Sequence, residues 1–589
     1  MNATPTHHQL RLKYGNFSTL SEALDYAASG ETGCNFYSGR GKLTHVLTYA
    51  DLKQQAQNLA RRLNGLGLSR GARVALIADT TPDFIRFFFA CQYAGLIPVP
   101  LPISLHLGGH QAYVTQLNRL LESCQASIAM APEGFLPFLE EAATGLDMVL
   151  IGGPETFASL EENQDPLNPL EPQELAYIQY TSGSTRWPRG VEVTQSAVMT
   201  NLSGIIQHGL KVQSGDRCVS WLPFYHDMGL VGFVLGPIAS QLSVDYLSTR
   251  DFAMRPRQWL NLMTKSRATI SFSPSFGYEL CVRRLGEDFN EHYDLSSWRI
   301  AGAGAETIRA DSLSRFAKTL KASGFKSEAF LACYGMAECS LAISFAPLNK
   351  GLEVDRVDGD QLSNNRLAMP FIPLLTDEEQ ARCSKFVNCG VPLPGYEVEI
   401  RNIMTGDVVK ERESGIIFVR GASTMTGYFN DPILTQEVLS PDGWLNTGDI
   451  GYWVEGSLVI IGRSKDMIII NGRNIWPQDL EFMAEQQAEV RPGDSSAFSV
   501  STPDGHEIAI IVVQCREMDN KKREDLVQRL RSLVHKELSI PCYIELIPPR
   551  TLPRTSSGKL SRSRAKADFL TRIQWEEVTT NLSTTAGSA

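Results

Sequence analysis

The sequence predicts an α/β protein in which a large N-terminal domain is followed by a small α+β domain. The first reason is length: the chain has 589 residues, and one hydrophobic core rarely grows beyond about 300 residues. The second is that helical and strand patterns alternate early in the chain, and the third is a late hairpin followed by a strand and a helix. We therefore predict domains at 1–463 and 464–578, with a disordered polar tail at 579–589.

An early segment alternates helix and strand. Thr48 is a favourable helix N-cap with Asp51 three residues later, and apolar residues follow at helical spacing. The short apolar run at 74–78 is typical of a buried parallel strand. Thr81 then precedes Pro82, and proline favours the first position of a helix. This alternation predicts helices packed on a parallel sheet.

A late segment carries the signals of a smaller α+β domain. Residues 451–461 form two apolar runs around Glu455 and Gly456, which predicts a hairpin. A strand pattern over 507–513 and a helical pattern from about 519 to 537 follow. These elements are sufficient for a separate small domain.

Composition narrows the class of protein. The chain is 43% hydrophobic and 20% charged, with a net charge of −10 from 55 Lys+Arg and 65 Asp+Glu. With no dense basic block, nucleic acid is not expected as a ligand. The eleven cysteines form no CxxC pair, which indicates buried thiols in a reducing compartment. No run approaches the roughly 20 apolar residues of a spanning helix, and the N-terminus has no signal-peptide pattern, so we expect a cytoplasmic protein without a transmembrane segment.

A loop rich in small hydroxyl residues follows the predicted strand at 175–180. Its glycine and hydroxyl residues expose backbone N–H groups in one concavity, and two arginines add positive charge, which suits a polyphosphate. The spacing is not that of a Walker A loop, and this segment alone is equally compatible with a polar turn. The candidate phosphate-binding residues are Thr181, Ser182, Gly183, Ser184, Thr185 and Arg189.

The segment from Tyr180 to Gly190 resembles the phosphate loop of the adenylate-forming superfamily. That superfamily includes acyl-CoA synthetases, peptide-synthetase adenylation domains, luciferases and fatty acyl-AMP ligases. The commoner loop has Lys at position 189 and Gly at position 186, where this chain has arginine; arginine keeps the charge but makes different phosphate contacts. The resemblance implies ATP as the nucleotide, a large acyl-CoA synthetase-like domain of layered βα subdomains, and a small mobile C-terminal domain.

Further segments are similar to superfamily motifs, in the superfamily's order. The motif at 221–230 contains His226, expected near the substrate carboxylate. The adenine-pocket motif supplies Gly304, Ala305 and Glu306. The next motif is Tyr334, Gly335, Met336, Ala337 and Glu338, whose tyrosine is expected to pack on adenine and whose Glu338 is expected to hold Mg²⁺. Ala337 stands where many relatives have threonine, so one hydroxyl contact is missing or replaced.

The remaining motifs lie near the predicted domain boundary and in the small domain. Asp449 ends a Thr-Gly-Asp motif and is expected to accept hydrogen bonds from both ribose hydroxyls, with Arg463 close by. Lys465 lies at the expected hinge, where many relatives have aspartate. Lys559 matches the catalytic lysine of the C-terminal motif at 553–560. An isolated lysine is usually a solvated loop residue, but the ordered series of motifs favours the catalytic role.

The resemblance also implies the chemistry. A carboxylate is activated by attack on the α-phosphate of ATP, which releases pyrophosphate and leaves acyl-AMP. Negative charge gathers on the α-phosphate, so cations and backbone donors are expected there. Lys559 would bridge the carboxylate and the α-phosphate, and no protein nucleophile is needed.

The acyl acceptor depends on an insertion around 351–386. Fifty-one residues separate Glu338 from Gly390, a longer stretch than is typical of acyl-CoA synthetases and similar to the insertion of fatty acyl-AMP ligases. That resemblance implies a fatty acid substrate and acyl transfer to a phosphopantetheine thiol. The thiol would belong to a separate acyl carrier protein, or to a carrier domain of a polyketide or peptide synthetase acting in trans.

Two other functions stay open from the sequence. One is a fatty acyl-CoA synthetase that uses CoA as the acceptor, and the other is a non-catalytic homologue that holds nucleotide or lipid. The acyl pocket is the least readable part: Phe276, Gly277 and Tyr278 are its candidate wall, although aromatic residues at this spacing are equally typical of plain core. Chain length is not encoded in any motif.

Overall fold

The computed structural model describes residues 10–103, 110–181, 189–285, 292–372, 383–470, 473–502, 507–538, 540–555, 559–573 and 575. The predicted tail at 579–589 and the loop residues Ser182, Gly183, Ser184 and Thr185 lie outside these ranges.

The first part of the chain confirms the predicted alternation of helix and strand. Thr48 caps its helix by accepting a hydrogen bond from the backbone N–H of Asp51 at 3.0 Å, and Pro82 begins the next helix. The elements, in chain order, are α1 (Leu20–Ala27), β1 (Gly33–Tyr37), β2 (Leu43–Thr48), α2 (Tyr49–Asn64), β3 (Arg73–Ile77), α3 (Pro82–Ala94), β4 (Ile97–Leu101), α4 (His110–Cys124), β5 (Ala126–Met130), α5 (Leu136–Ala142), β6 (Leu150–Gly152) and α6 (Pro154–Ala158).

The second part adds a hairpin and a further series of strands and helices. Two of its helical stretches, Ile205–Gly209 and Val231–Leu235, are π-helical. The other elements are β7 (Leu175–Thr181), β8 (Arg189–Thr194), α7 (Gln195–Gly204), β9 (Arg217–Ser220), α8 (Asp227–Leu230), α9 (Gly236–Ala239), β10 (Ser243–Leu247), α10 (Thr249–Met254), α11 (Arg257–Ser266), β11 (Ile270–Ser273), α12 (Ser275–Arg283), β12 (Ile300–Ala303), α13 (Ala310–Leu320), β13 (Phe330–Gly335) and β14 (Ala342–Phe345).

The third part is mainly antiparallel. It holds β15 (Val354–Asp358), α14 (Gly359–Asn365), β16 (Cys383–Val387), β17 (Val391–Pro392), β18 (Tyr396–Arg401), β19 (Gly415–Gly421), α15 (Pro432–Val438), β20 (Leu445–Val454) and β21 (Ser457–Arg463). The predicted hairpin is confirmed as β20–β21, and both residues of its turn, Glu455 and Gly456, have positive φ, as a tight hairpin turn requires.

The last part contains the predicted strand and helix. Its elements are β22 (Ile468–Ile470), β23 (Arg473–Ile475), α16 (Pro477–Glu485), β24 (Ser495–Ser501), β25 (Glu507–Gln514), α17 (Asn520–Leu538), β26 (Cys542–Ile547) and α18 (Arg562–Arg572). Two apolar clusters lie wholly within this part, which begins at Ile468. A domain boundary near residue 463 stays a prediction, and these separate clusters support it.

The strands assemble into several sheets. Within the described residues, β4-β3-β5-β6 form a parallel sheet, β17-β14-β13-β12-β11-β9-β10-β1-β2 form the largest sheet, β18 to β21 form an antiparallel sheet, and β24-β25-β26 form the sheet of the last part. In the largest sheet β9 to β13 run parallel. The loops that follow parallel strands gather at one edge of a sheet, and ligands bind there.

The insertion is a folded part of this architecture. Its strands β15 and β16 pair with each other, and Val357, Leu362 and Ala368 are buried against residues of β20 and β21. Asp355 accepts a hydrogen bond from the Tyr452 hydroxyl at 2.8 Å. Among the helices that the structure describes, none is long and apolar enough to cross a membrane.

Candidate active site

A cavity of about 520 Å³ lies where the loops after the central strands meet the last part of the chain. Its lining divides into two chemically different ends. The polar end is formed by Thr181, Arg189, His226, Tyr334, Glu338, Tyr428, Asn446, Thr447, Arg463, Lys465 and Lys559. The apolar end is formed by Ile205, Ile206, Leu210, Val212, Gly232, Phe233, Pro237, Leu242, Phe272 and Phe345.

Lys559 reaches the polar end from the C-terminal part of the chain. Its Nζ lies 2.9 Å from Nε2 of His226, although 333 residues separate the two in sequence. A charged lysine has only donors, so Lys559 donates this bond when it is charged, and Nδ1 is the other nitrogen of the ring. That Nδ1 lies 2.5 Å from Oδ1 of Asp227, so Asp227, His226 and Lys559 form one connected row.

Burial governs the charges in this row. It lowers the pKa of Lys559 below the usual lysine range, while Asp227 and Glu306 oppose that shift. Burial is the largest influence on Asp227 and disfavours its ionisation, but His226, Lys559 and the Met228 backbone N–H together outweigh it and lower its pKa. The His226 ring lies between Lys559 and Asp227 in this row.

A second group of contacts joins the Thr-Gly-Asp motif to the tyrosine motif. Asp449 is buried and accepts a hydrogen bond from the Tyr334 hydroxyl at 2.7 Å. Nε of Arg463 lies 3.3 Å from the other oxygen of Asp449, and this carboxylate raises the pKa of Arg463. Asp449 is thus oriented by two partners, and its contact with a ribose stays a prediction.

Glu338 lies at the same end and is buried. Its Oε1 accepts a hydrogen bond from the Tyr428 hydroxyl at 2.8 Å, and burial raises its pKa. Among the described residues, no group of three or more His, Cys, Asp or Glu side chains is placed to hold a metal. Magnesium usually binds through one or two carboxylates together with substrate phosphates, so Glu338, at the same end as Thr181 and Arg189, fits that ion.

The adenine-pocket segment is only partly exposed to the cavity. Ala305 lines it, in a left-handed conformation with φ of 68°. Gly304 packs on β13, where an added Cβ would come within 2.8 Å of Cys333 Sγ. Glu306 turns to a neighbouring loop and accepts a hydrogen bond from the Phe276 backbone at 3.1 Å.

Gly335, Met336 and Ala337 line the cavity beside Tyr334. Lys465 also lines it, and burial followed by repulsion from Arg463 lowers its pKa. Its hinge role stays a prediction.

The candidate acyl wall stays a prediction. Phe276, Gly277 and Tyr278 are not among the residues that line the cavity. Tyr278 is fully buried, donates a hydrogen bond to the Gly302 carbonyl at 2.8 Å and packs on Trp259. A Cβ at Gly277 would come within 2.1 Å of Ser273 Oγ. These contacts favour the plain-core interpretation for Gly277 and Tyr278, because this face of α12 packs on strands and helices of the large sheet.

The sequence interpretation missed most of the apolar end. Its wall comes from the two π-helical stretches and the segments that follow them, from β9 and β11, and from Phe345 on β14. The π-helix Ile205–Gly209 contributes Ile205 and Ile206, and Val231–Leu235 contributes Gly232 and Phe233. Such segments often lie at functional sites, but no local residue pattern distinguishes them from α-helix.

Known proteins resemble the chain over nearly its full length. A provisionally named acyl-CoA synthetase of Caulobacter vibrioides is 43% identical over 96% of this chain and 98% of its own. The medium-chain-fatty-acid–[acyl-carrier-protein] ligase JamA of Moorena producens is 32% identical, over 95% of this chain and 97% of JamA. A solved structure from work on fatty acyl-adenylate ligases of E. coli and L. pneumophila superposes with a TM-score of 0.90 at 46% identity, covering 95% of this chain and 99% of that one.

The model of one family, that of the AMP-binding enzymes, matches residues 34–429. That match covers the phosphate loop, the His226 motif and the Glu338 motif, which supply part of the polar end. The chain belongs to the AMP-binding enzyme family, whose members form adenylates.

Proposed function

We propose that this enzyme activates a medium- or long-chain fatty acid with ATP, forming acyl-AMP and pyrophosphate, and then transfers the acyl group to a carrier protein. The observation that carries the first step is the position of Lys559. Its ammonium group lies on the His226 side of the polar end, and the apolar wall belongs to the same cavity. A fatty acid placed along that wall would direct its carboxylate toward this lysine.

Each polar group has a part in the proposed step. Asp449 and Arg463 would bind the ribose, Tyr334 would pack on adenine, and Arg189 would contact the phosphates. Lys559 would hold the carboxylate oxygen against the α-phosphate and balance the charge that develops there. His226, held by Asp227, keeps Lys559 in place. Magnesium, when bound at Glu338, would neutralise charge on the phosphates.

The proposed acceptor is a phosphopantetheine thiol on a separate carrier protein. JamA, named for an acyl carrier protein acceptor, supports it, while the Caulobacter relative carries the name of a CoA enzyme. The insertion also supports it, because its length resembles that of the fatty acyl-AMP ligases. It is folded against the rest of the chain, and Nδ2 of Asn474 in the C-terminal part donates a hydrogen bond to its Ser363 carbonyl at 3.2 Å.

We also propose a cytoplasmic location. All eleven cysteines are free, and nine of them are buried, which suits a reducing compartment.

The test is an incubation of the purified protein with ATP, Mg²⁺ and dodecanoate, analysed by mass spectrometry. Parallel reactions contain CoA, a phosphopantetheinylated carrier protein, or neither. We expect acyl-AMP in all three and an acylated product only with the carrier protein. Abundant acyl-CoA would make the enzyme a synthetase, and no acyl-AMP with any chain length would contradict the proposal. Lys559→Ala is the inactive variant, and Lys521→Ala, which removes an exposed lysine, is its matched control.

A further inference from the structure

Tyr428 lies between two parts of the polar end that come from distant positions in the sequence. It belongs to the segment 425–429, between β19 and α15, and it was not among the residues that the sequence motifs indicated. Its side chain is only 6% exposed and lines the cavity. The residue therefore faces the space that the nucleotide would occupy.

The backbone of this segment is fixed on both sides. On one side it pairs with β8, the strand that leaves the phosphate loop: Phe429 N–H donates to the Gly190 carbonyl at 2.8 Å, and Glu192 N–H donates to the Gly427 carbonyl at 3.0 Å. On the other side, Met425 N–H donates to the Glu338 carbonyl at 2.8 Å. The segment is a structural link between the phosphate loop and the loop that carries Glu338.

The Tyr428 side chain repeats this link. Its hydroxyl donates to Oε1 of Glu338 at 2.8 Å. The Arg189 guanidinium lies over its ring, with Cζ 5.6 Å from the centroid. One side chain thus contacts a cation expected to bind phosphate through its ring, and a carboxylate expected to bind magnesium through its hydroxyl.

The chemistry of a phenol suits this position. A phenol offers a hydroxyl that donates a hydrogen bond and a ring face that attracts a cation. The hydroxyl of Tyr428 contacts Glu338 while its ring contacts Arg189. A water molecule could replace the hydrogen bond to Glu338, but it would not fix the distance between Arg189 and Glu338.

We propose that Tyr428 is a positioning residue that holds Arg189 and Glu338 at the separation required by a magnesium–triphosphate group. This inference rests on the proposed function, because it takes ATP as the nucleotide. Tyr428 does not touch the reacting atoms. It acts through Arg189 and Glu338, so its loss should weaken recognition of the metal–phosphate group and spare the acyl end.

The test is the variant Tyr428→Phe, which removes a single oxygen atom and keeps the ring beneath Arg189. Calorimetry measures binding of a non-hydrolysable ATP analogue with and without Mg²⁺. In the wild type we expect Mg²⁺ to tighten binding. In the variant we expect binding with Mg²⁺ to weaken about tenfold, the loss typical of a hydrogen bond to a charged group, with little change when Mg²⁺ is absent. The Mg²⁺ concentration that half-saturates acyl-AMP formation should rise in parallel, at an unchanged KM for dodecanoate.

Tyr396→Phe is the matched control. Tyr396 also lies near the Glu338 loop, but its hydroxyl donates to the Cys339 carbonyl at 3.2 Å and not to the carboxylate. It should retain wild-type binding with and without Mg²⁺. Equal losses in Tyr396→Phe and Tyr428→Phe, or losses that do not depend on Mg²⁺, would reduce Tyr428 to a structural residue and overturn the inference. A wild-type protein that binds no ATP analogue would instead contradict the proposed function.

Discussion

The two ends of the cavity differ in how their side chains are held and in what they offer a ligand. At the polar end, few atoms matter and each is fixed by a partner: Lys559 by His226, Asp449 by Tyr334 and Arg463, and Glu338 by Tyr428. At the apolar end, the described lining is uncharged, and it offers volume and shape instead of directed contacts. Substitutions at the polar end should therefore change the rate of acyl-AMP formation for every fatty acid. Substitutions at the apolar end should change which fatty acids are accepted.

The largest expected effect is at the polar end. Lys559→Ala removes the half-buried lysine next to His226, and acyl-AMP formation should fall by about a hundredfold or more, a loss of a few kcal/mol of transition-state stabilisation. The fall should be the same for short and long fatty acids. Pyrophosphate release measured over a series of chain lengths checks this, and wild-type release would refute the assignment of Lys559.

A smaller loss is expected when the ribose contact is removed. Asp449→Ala should weaken ATP binding about tenfold, since hydrogen bonds to charged groups contribute about 1.5–3 kcal/mol, and it leaves Arg463 without its carboxylate. The KM for the fatty acid should not change, which distinguishes the two ends. Calorimetry with ATP measures the affinity; Asp442→Ala, which removes an exposed carboxylate, is the control, and an Asp449 variant with wild-type affinity would count against the diol contact.

The apolar end should respond only in selectivity. Gly232 lies in its wall, and a Cβ added there would meet only Leu341, at an ordinary 3.6 Å. Gly232→Leu should therefore fold and fill part of the cavity, shifting preference several-fold toward shorter acids at an unchanged KM for ATP. Gly232→Ala is the milder comparison. Competition among fatty acids of different length measures the shift, and an unaltered preference in Gly232→Leu would place the acyl chain elsewhere.

The smallest effect is a displacement of the pH profile. Because burial lowers the pKa of Lys559, its charge is lost as pH rises through a value below the usual lysine range, and acyl-AMP formation should decline there. Asp227 opposes this lowering, so Asp227→Asn should move the alkaline decline to still lower pH. Single-turnover rates from neutral to alkaline pH measure it. If the rates of the variant and the wild type decline at the same alkaline pH, Asp227 does not influence the pKa of Lys559.

Local patterns predicted much of the fold. The caps at Thr48 and Thr81 and the turn at Glu455 and Gly456 depend on neighbouring residues, so they can be read from the chain. In the parallel pair of β1 and β10, Cys34 lies opposite Val244. No local pattern encodes a strand partner so distant in sequence. The strand order of the largest sheet could therefore not be predicted from the sequence.

The same division applies to the site. The polar end could be predicted because short motifs carry it, and the structure brings Lys559 to His226 and Arg463 to Asp449. Tyr428 was missed because its role comes from the distant contacts with Arg189 and Glu338. Tyr278 was assigned to the acyl wall because an aromatic residue suits a wall and a core alike; only the packing against Trp259 distinguishes them.

The π-helical stretch Ile205–Gly209 has a consequence for how such an enzyme can change over generations. A π-helical turn closes over one residue more than an α-helical turn, so deleting one residue would restore the α-helix and rotate the following side chains by about 100°. Leu210 and Val212, which now line the cavity, would turn away from it, and the loop before β9 can absorb the change in length. Loss of a single codon at this point would thus change which fatty acids the cavity accepts in one step. The nucleotide-binding residues would stay as they are.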